Sequence, residues 1–340
     1  MKIAILYRNL LDKTQNSSVD TRTTKDSFYL GPRIKEILEN LGHTPYIIDV
    51  NLNTFEQLRG GDFDIVFNLC DDGFRDNSLL EPHVPAMLDI LEIPYTGSNF
   101  YTLATCLNKA RCKEILAFHK IPTPQFQVFY NASDILNANL KFPVIVKPLH
   151  EDGSIGLKKE SVVENITDLR ERVDAVITNY YQPALVEKFI SGKEVYVGIL
   201  GSKENLTVLP ISEVVFNSRL SPTTQICCYE AKWLPQSRQY KNTPISCPAK
   251  LEKETEEKLI HIAKRAYTLV GCDDYGRIDF RIDYDNRPYV LEVNPNPDIS
   301  EDAGLAKMAQ ATGMSYDKLI AEILSIALQR AQLTNTVSIN

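Results

Sequence analysis

The chain has 340 residues, 44% of them apolar and 24% charged, with a formal net charge of −7. That length allows two or three α/β lobes with their own cores. The acidic balance argues against a nucleic-acid-binding protein, though not against local capture of a magnesium nucleotide.

The opening MKIAILY is too short an apolar run for a signal peptide and reads as a first strand over 2–7. A helix over 31–41 ending at Gly42, a strand over 44–50, a buried strand over 63–69 and a helix over 82–92 follow. This alternation predicts a parallel-sheet lobe across residues 1–97. No G-x-G-x-x-G and no G-x-x-x-x-G-K-[ST] loop occurs, so neither a dinucleotide fingerprint nor a Walker A site is supported. A second unit, 98–188, holds a helix over 105–119, the strand PVIVKP (143–148), the loop HEDGSIGL (150–157), a helix over 165–179 and the strand PALVEKFI (183–190). A third, 189–332, opens with the strand KEVYVGILG. It carries a polar insertion over 216–248 and a helix over 252–270 capped by Gly271. Two strands follow, YGRIDFRID (275–283) and YVLEVN (289–294), and then a helix over 315–331 with Ser315 as its N-cap. Residues 333–340 read as a tail. No stretch approaches 18 apolar residues, so no membrane span is expected. Seven scattered cysteines without a C-x-x-C pair, and five histidines without ligand spacing, argue against a disulfide framework or a zinc site. They favour a reducing, cytoplasmic setting.

The two late strands carry the chemistry. In 275–283 apolar and charged residues alternate strictly, the mark of a half-buried strand. A hairpin centred on Asp285-Asn286 pairs 283 with 288, 281 with 290, 279 with 292 and 277 with 294. Asp279 and Glu292 then face each other with Cβ atoms about 5 Å apart. Their repulsion costs roughly 3 kcal/mol at an effective dielectric of 20. Mg²⁺, which takes carboxylate oxygens together with substrate phosphates, would offset it, and Asn294 could add a neutral oxygen. The competing reading is a solvated polar face with Arg277 and Arg281 pairing the acids. Lys147 ends an apolar strand, where its ammonium must meet an anion or water. The glycines of the loop behind it allow backbone amides to approach a phosphate, although a surface turn reads the same way. Glu187-Lys188-Phe189-Ile190 could present backbone and apolar walls to a purine, with Glu194 within reach of ribose hydroxyls; the alternative is a plain strand end. Lys109 and Lys232 read by themselves as solvent-exposed lysines.

The order of these elements resembles the ATP-grasp superfamily, and within it the D-alanine–D-alanine ligase family, over residues 60–330. The resemblance rests on IPYTGS (93–98), LNKARCKEIL (107–116) with IPTP, FPVIVKP (142–148), EDGSIGL, VEKFISGKE (186–194), YEAKW (229–233), YGRIDFRID, YVLEVNPNP and GMSYDKLI (313–320). It implies an α/β fold, α+β in its ATP-grasp part, of three subdomains, with ATP as substrate, two Mg²⁺ ions (Mn²⁺ able to stand in) and a homodimeric assembly. Lys109, Lys147 and Lys232 resemble phosphate ligands, and residues 151–157, with Gly153, Ser154, Ile155 and Gly156, the flap over the triphosphate. Glu187, Lys188, Phe189 and Ile190 resemble the adenine hinge and Glu194 the ribose ligand. Asp279, Glu292 and Asn294 resemble the metal ligands, and Arg277, with Ser154, the catalytic set.

The chain departs from the family on the amino-acid side. YRNLLDKTQNSS stands where the family has a glycine-rich stretch, and NLCDDGFRDNSLLEPH where it has HG…EDG. Gly153 replaces the first of two flap serines, and Trp233 a tyrosine. Asp298 and Ala303 fall where a glycine and a carboxylate-binding serine belong. The expectation is an ATP-dependent carboxylate–amine ligase working through an acyl phosphate on small molecules other than two D-alanines. A D-alanine–D-alanine ligase with an altered pocket, or an ATP-binding regulatory protein without ligase activity, are the alternatives.

Overall fold

The computed structural model describes residues 1–7, 25–71, 73–203 and 205–337. Three sheets organise them. The first is parallel, in the order β2 (Thr44–Asp49), β1 (Lys2–Tyr7), β3 (Ile65–Asn68). Period two in β1 turns Ile3, Ile5 and Tyr7 to one face and Ala4 and Leu6 to the other. The first set packs on α1 (Lys25–Asn40). The second packs with α2 (Thr54–Arg59) and α3 (His83–Ile90) through Leu58, Val84 and Leu88.

Helix α4 (Phe100–Leu107) is separated from α5 (Lys109–Phe118) by Asn108, so the helix expected over 105–119 is two. Asn108 has an extended ψ of 91°, and its side chain accepts from the Arg111 N–H. A short polar side chain that caps a new helix breaks the old one. Cys106, Cys112 and Leu116 of this pair pack into the core of the third sheet.

The second sheet is antiparallel, in the order β4 (Phe126–Phe129), β7 (Ala184–Lys188), β5 (Val144–Pro148), β6 (Val162–Val163), and α6 (Ile166–Tyr180) covers one face. The third contains β8 (Lys193–Ser202), β9 (Asn205–Val208), β10 (Ser212–Val214), β11 (Ile245–Ser246), β12 (Tyr275–Ile282) and β13 (Pro288–Asn294). Two short helices, α7 (Tyr229–Trp233) and α8 (Arg238–Lys241), lie in the polar insertion. Helix α9 (Lys253–Val270) backs the sheet and ends, as expected, at Gly271 in the left-handed region, φ 80°. After α10 (Gly304–Gln310), α11 (Tyr316–Val337) begins with Ser315 Oγ accepting from the Lys318 N–H at 3.3 Å and runs six residues beyond the expected end. Its buried Leu319, Ile320 and Ile323 share one core with β1 and with Leu200 and Tyr275 of the third sheet, binding first lobe to last. No helix among the described residues is long and apolar enough to cross a membrane.

Candidate active site

The second and third sheets face each other across a cleft whose empty space, part of it open to solvent, is about 760 Å³. Strand alternation stocks both walls. In β5, Val144 and Val146 enter the core while Ile145 and Lys147 turn to the cleft; in β7, Glu187 takes the same face. In β8 and β12, Val195, Val197, Ile278 and Phe280 pack under α9, leaving Glu194, Tyr196, Arg277, Asp279 and Arg281 on the opposite side.

The hairpin brings Asp279 opposite Glu292 and Arg277 opposite Asn294, as the sequence predicts. Its tip differs. Ile282 pairs with Pro288, Arg281 with Tyr289 and Phe280 with Val290, one residue out of the expected register. A bulge at Leu291 absorbs the difference, placing Leu291 and Glu292 together in the cleft between the core residues Val290 and Val293.

The acidic pair is not on a solvated face: Asp279 is buried, 3% exposed, and Glu292 is half-buried at the cleft. Arg277 donates to its two oxygens from Nε at 2.7 Å and Nη2 at 2.9 Å. Glu292 Oε2 lies 3.4 Å from Lys109 Nζ. Lys109, far from being an exposed helix lysine, is 5% exposed at the start of α5 and also donates to Asp152 Oδ1 of the flap at 3.0 Å. Burial pulls Lys109 down, but Asp152 and Glu292 outweigh it and hold the ammonium. Burial alone would raise Glu292; Lys109, Lys147, Lys232 and Arg277 together bring it well below the usual carboxylate range. Burial pushes Asp279 up; Arg277 opposes this and Glu292 adds to it.

Lys147 meets its anion within the protein. Its Nζ is 2.8 Å from Glu187 Oε2, and Lys113 Nζ is 2.8 Å from Glu187 Oε1. Burial lowers Lys113, Glu187 draws it back up and Lys147 pushes it further down. Glu187 itself ends below its ordinary value, because two ammonium groups outweigh its burial. Glu187 faces two cations while each lysine faces one carboxylate, so its charge is held. Glu194 accepts from Tyr196 Oη at 2.7 Å and pairs with Arg281 at 3.0 Å. Arg281 in turn lies over the rings of Phe189 and Phe216, 5.2 Å from each. Lys188, Phe189, Ile190 and Lys232 complete the cleft wall.

The flap crosses the cleft mouth. Gly153 and Ser154 have φ of 60° and 63°, and the Ile155 N–H donates to the Asp152 carbonyl, the pattern of a type I′ turn. Ser154 and Ile155 face the cleft, whereas Gly153 and Gly156 are absent from its lining. Gly156 has a structural requirement: at φ 74°, a Cβ there would meet Pro148 Cγ at 2.5 Å. Arg277 and Asn294 are likewise absent from the cleft lining, Asn294 Nδ2 donating to the Arg277 carbonyl at 3.4 Å. Sequence reasoning missed Lys113, Asp152 and the cleft-side role of Arg281. Lys113, one helical turn after Lys109 on the same face, carried a readable signal; Asp152 did not.

Among the described residues no three His, Cys, Asp or Glu side chains converge as a metal site. The donors at hand are two carboxylates and, with Nδ2 engaged, the free Oδ1 of Asn294. This all-oxygen set suits a hard divalent cation that takes its remaining ligands from phosphate and water.

Residues 115–325 match the family model for the D-ala D-ala ligase C-terminus. The chain belongs to the D-alanine–D-alanine ligase family. It is 30% identical to the D-alanine–D-alanine ligase of Bordetella avium over 88% of this chain and 90% of that one. With the Carboxydothermus hydrogenoformans ligase it shares 31% over 98% and 100% of the two chains. A protein named y4sG of Sinorhizobium fredii, described as uncharacterized, is 36% identical over 78% of this chain and 75% of its own. The crystal structure of the Bacillus anthracis D-alanine–D-alanine ligase complexed with ATP superposes with a TM-score of 0.74, covering 98% of this chain and 99% of that one at 22% identity. The fold is therefore that of an ATP-grasp ligase of three subdomains, and the chain is an ATP-dependent ligase of this family's type.

Proposed function

We propose that this ligase joins an amino-acid-like carboxylate to an amine other than a second D-alanine, through an acyl phosphate, in the cleft between β5–β7 and β12–β13. The contacts of Lys109 with Glu292 and of Arg277 with Asp279, with Lys147 and Lys232 in the same cleft, support the phosphoryl-transfer half. Asp279, Glu292 and Asn294 would hold Mg²⁺, which would neutralise phosphate charge. A substrate carboxylate oxygen attacks the γ-phosphorus, the bond to ADP breaks, and an acyl phosphate forms. An amine nitrogen then attacks the acyl carbon, loses a proton and expels phosphate. Such transfers need positioning and charge neutralisation more than covalent help. The three lysines would orient the triphosphate, and Arg277, held by Asp279, would meet charge developing at the reacting centre. Phe189, Ile190 and Ile145 supply apolar walls for the base.

The substrate side differs in character. Asn296, two residues beyond Asn294, donates to Glu81 at 2.9 Å and accepts from Tyr275 Oη at 2.7 Å. Burial raises the Tyr275 phenol, and Asp274, Asp71, Glu81 and Asp298 raise it further. Asp298 and Ala303, standing where the family has a glycine and a carboxylate-binding serine, support an acceptor other than D-alanine. The near-complete coverage by relatives named D-alanine–D-alanine ligase favours the second reading, that D-alanine is the substrate after all. Phosphate release with ATP and Mg²⁺ separates the two. The proposal expects turnover with carboxylate and amine pairs from a screen and little with D-alanine alone; robust turnover with D-alanine alone contradicts it.

A further inference from the structure

Arg281 is a buried cation that the reaction drawn above does not use. It is 3% exposed, yet its side chain reaches the cleft lining. Its ion pair is with Glu194 rather than with Asp279 or Glu292. The two residues stand directly opposite each other in the β8–β12 register, with Nη2 of Arg281 3.0 Å from Glu194 Oε2. Tyr196 Oη donates to the other oxygen, Oε1, at 2.7 Å. Glu194 is thus gripped at both oxygens, and each oxygen keeps lone-pair capacity for a further donor.

The same guanidinium organises the crossing between the lobes. Its Nη1 donates to the Ile190 carbonyl at 3.4 Å and to the Gly192 carbonyl at 3.3 Å, and its Nη2 donates to the Gln225 carbonyl. It lies 5.2 Å from the centroid of Phe189, an apolar wall of the cleft, and as far from that of Phe216. Gly192 permits the close approach: at φ 135°, a Cβ there would run into the Ile282 carbonyl. Burying a cation is costly unless its donors are filled. Here a carboxylate and three carbonyls meet it, an arrangement that suits the planar fork of arginine and not the point charge of lysine.

We propose that Arg281 is a positioning residue that makes the cleft select ribonucleotides over deoxyribonucleotides. It fixes the Glu194 carboxylate relative to Phe189 and the 190–192 backbone, so the sugar hydroxyls of a bound nucleotide meet an acceptor already in place. This role rests on the reading of the cleft as the nucleotide site and of Glu194 as the ribose acceptor. A hydroxyl bonded to a charged acceptor contributes about ten- to hundredfold in affinity, and an acceptor that must first be ordered returns less of it.

The test is calorimetric titration of the whole chain, with Mg²⁺ present, by ATP, 2′-deoxy-ATP and 3′-deoxy-ATP. The parent is expected to bind ATP about tenfold or more tightly than at least one deoxy analogue, and Glu194→Gln to reduce that preference. Arg281→Met keeps bulk against the two phenylalanine rings but removes the charge and the donors. It should cut the preference to about twofold or less, chiefly by weakening ATP itself. Arg281→Lys, carried in parallel in case the first variant folds poorly, keeps a cation without the fork and should fall between. Arginine variants that bind all three nucleotides more weakly by one common factor, with the parent's preference intact, overturn the proposal: Arg281 would then only brace the fold. If Glu194→Gln erodes the preference while the arginine variants retain it, the ribose reading stands and the proposal alone falls. A parent that binds ATP and both analogues equally overturns the ribose reading, and the proposal with it. None of these titrations requires turnover, so the identity of the substrate pair does not enter the result.

Discussion

A lysine closing an apolar strand must find an anion, and Lys147 finds Glu187, which Lys113 shares from the other side. With Lys113 1% exposed, its ammonium also bonds Thr123 Oγ1 at 2.9 Å and the Val290 carbonyl at 3.4 Å, so one cation organises β7, β13 and the segment leading into β4. Its replacement should leave a buried carboxylate short of charge. Lys113→Met is expected to lower the unfolding free energy by about 3 kcal/mol in urea titration, and a change below about 0.5 kcal/mol would show that the lysine contributes little. The acidic pair was legible in the sequence because it depends on period two within a short hairpin. Burial of Lys109 was not legible: its partners Asp152 and Glu292 lie 43 and 183 positions away, and no local pattern announces such a meeting.

At the scale of elements, the long strands and helices followed from periodicity, and Gly271 and Ser315 from capping rules. The short strands β4, β6, β9, β10 and β11 were missed, having too few residues to display alternation. The hairpin register was wrong at the tip and right at the site, because the bulge restores the two-residue alternation beyond Leu291. Val290 and Val293, three apart and both in the core, were its sign in the sequence. The break at Asn108 matters for function, since it starts α5 at Lys109, whose own N–H donates to the Leu149 carbonyl at 3.3 Å. Asn108→Ala should cost about 1 kcal/mol of stability and weaken ATP binding by letting the helix start drift. Retention of both the thermal midpoint and the ATP titration would contradict this.

Across the whole molecule, each lobe brings something the others lack: the second sheet supplies Lys147 and Glu187, the third Asp279 and Glu292, and the first lobe, through Glu81 in the turn before α3, reaches Asn296. Arg330 of α11 fastens them. It donates to Asp274 at 2.8 Å and to the carbonyls of Tyr95 and Gly97 at 2.6 and 3.2 Å, so the last helix holds the first lobe to the third sheet. The departures over 7–18 fall, apart from Tyr7, outside the described residues. The metal-holding role of the facing acids can be measured without knowing the substrate pair. Manganese binding in the presence of a non-hydrolysable ATP analogue, followed by electron paramagnetic resonance, should show tight retention of the ion by the parent. In a folded Glu292→Gln variant, which keeps shape but loses charge, affinity should fall more than about tenfold; equal manganese binding by the two proteins would contradict the account.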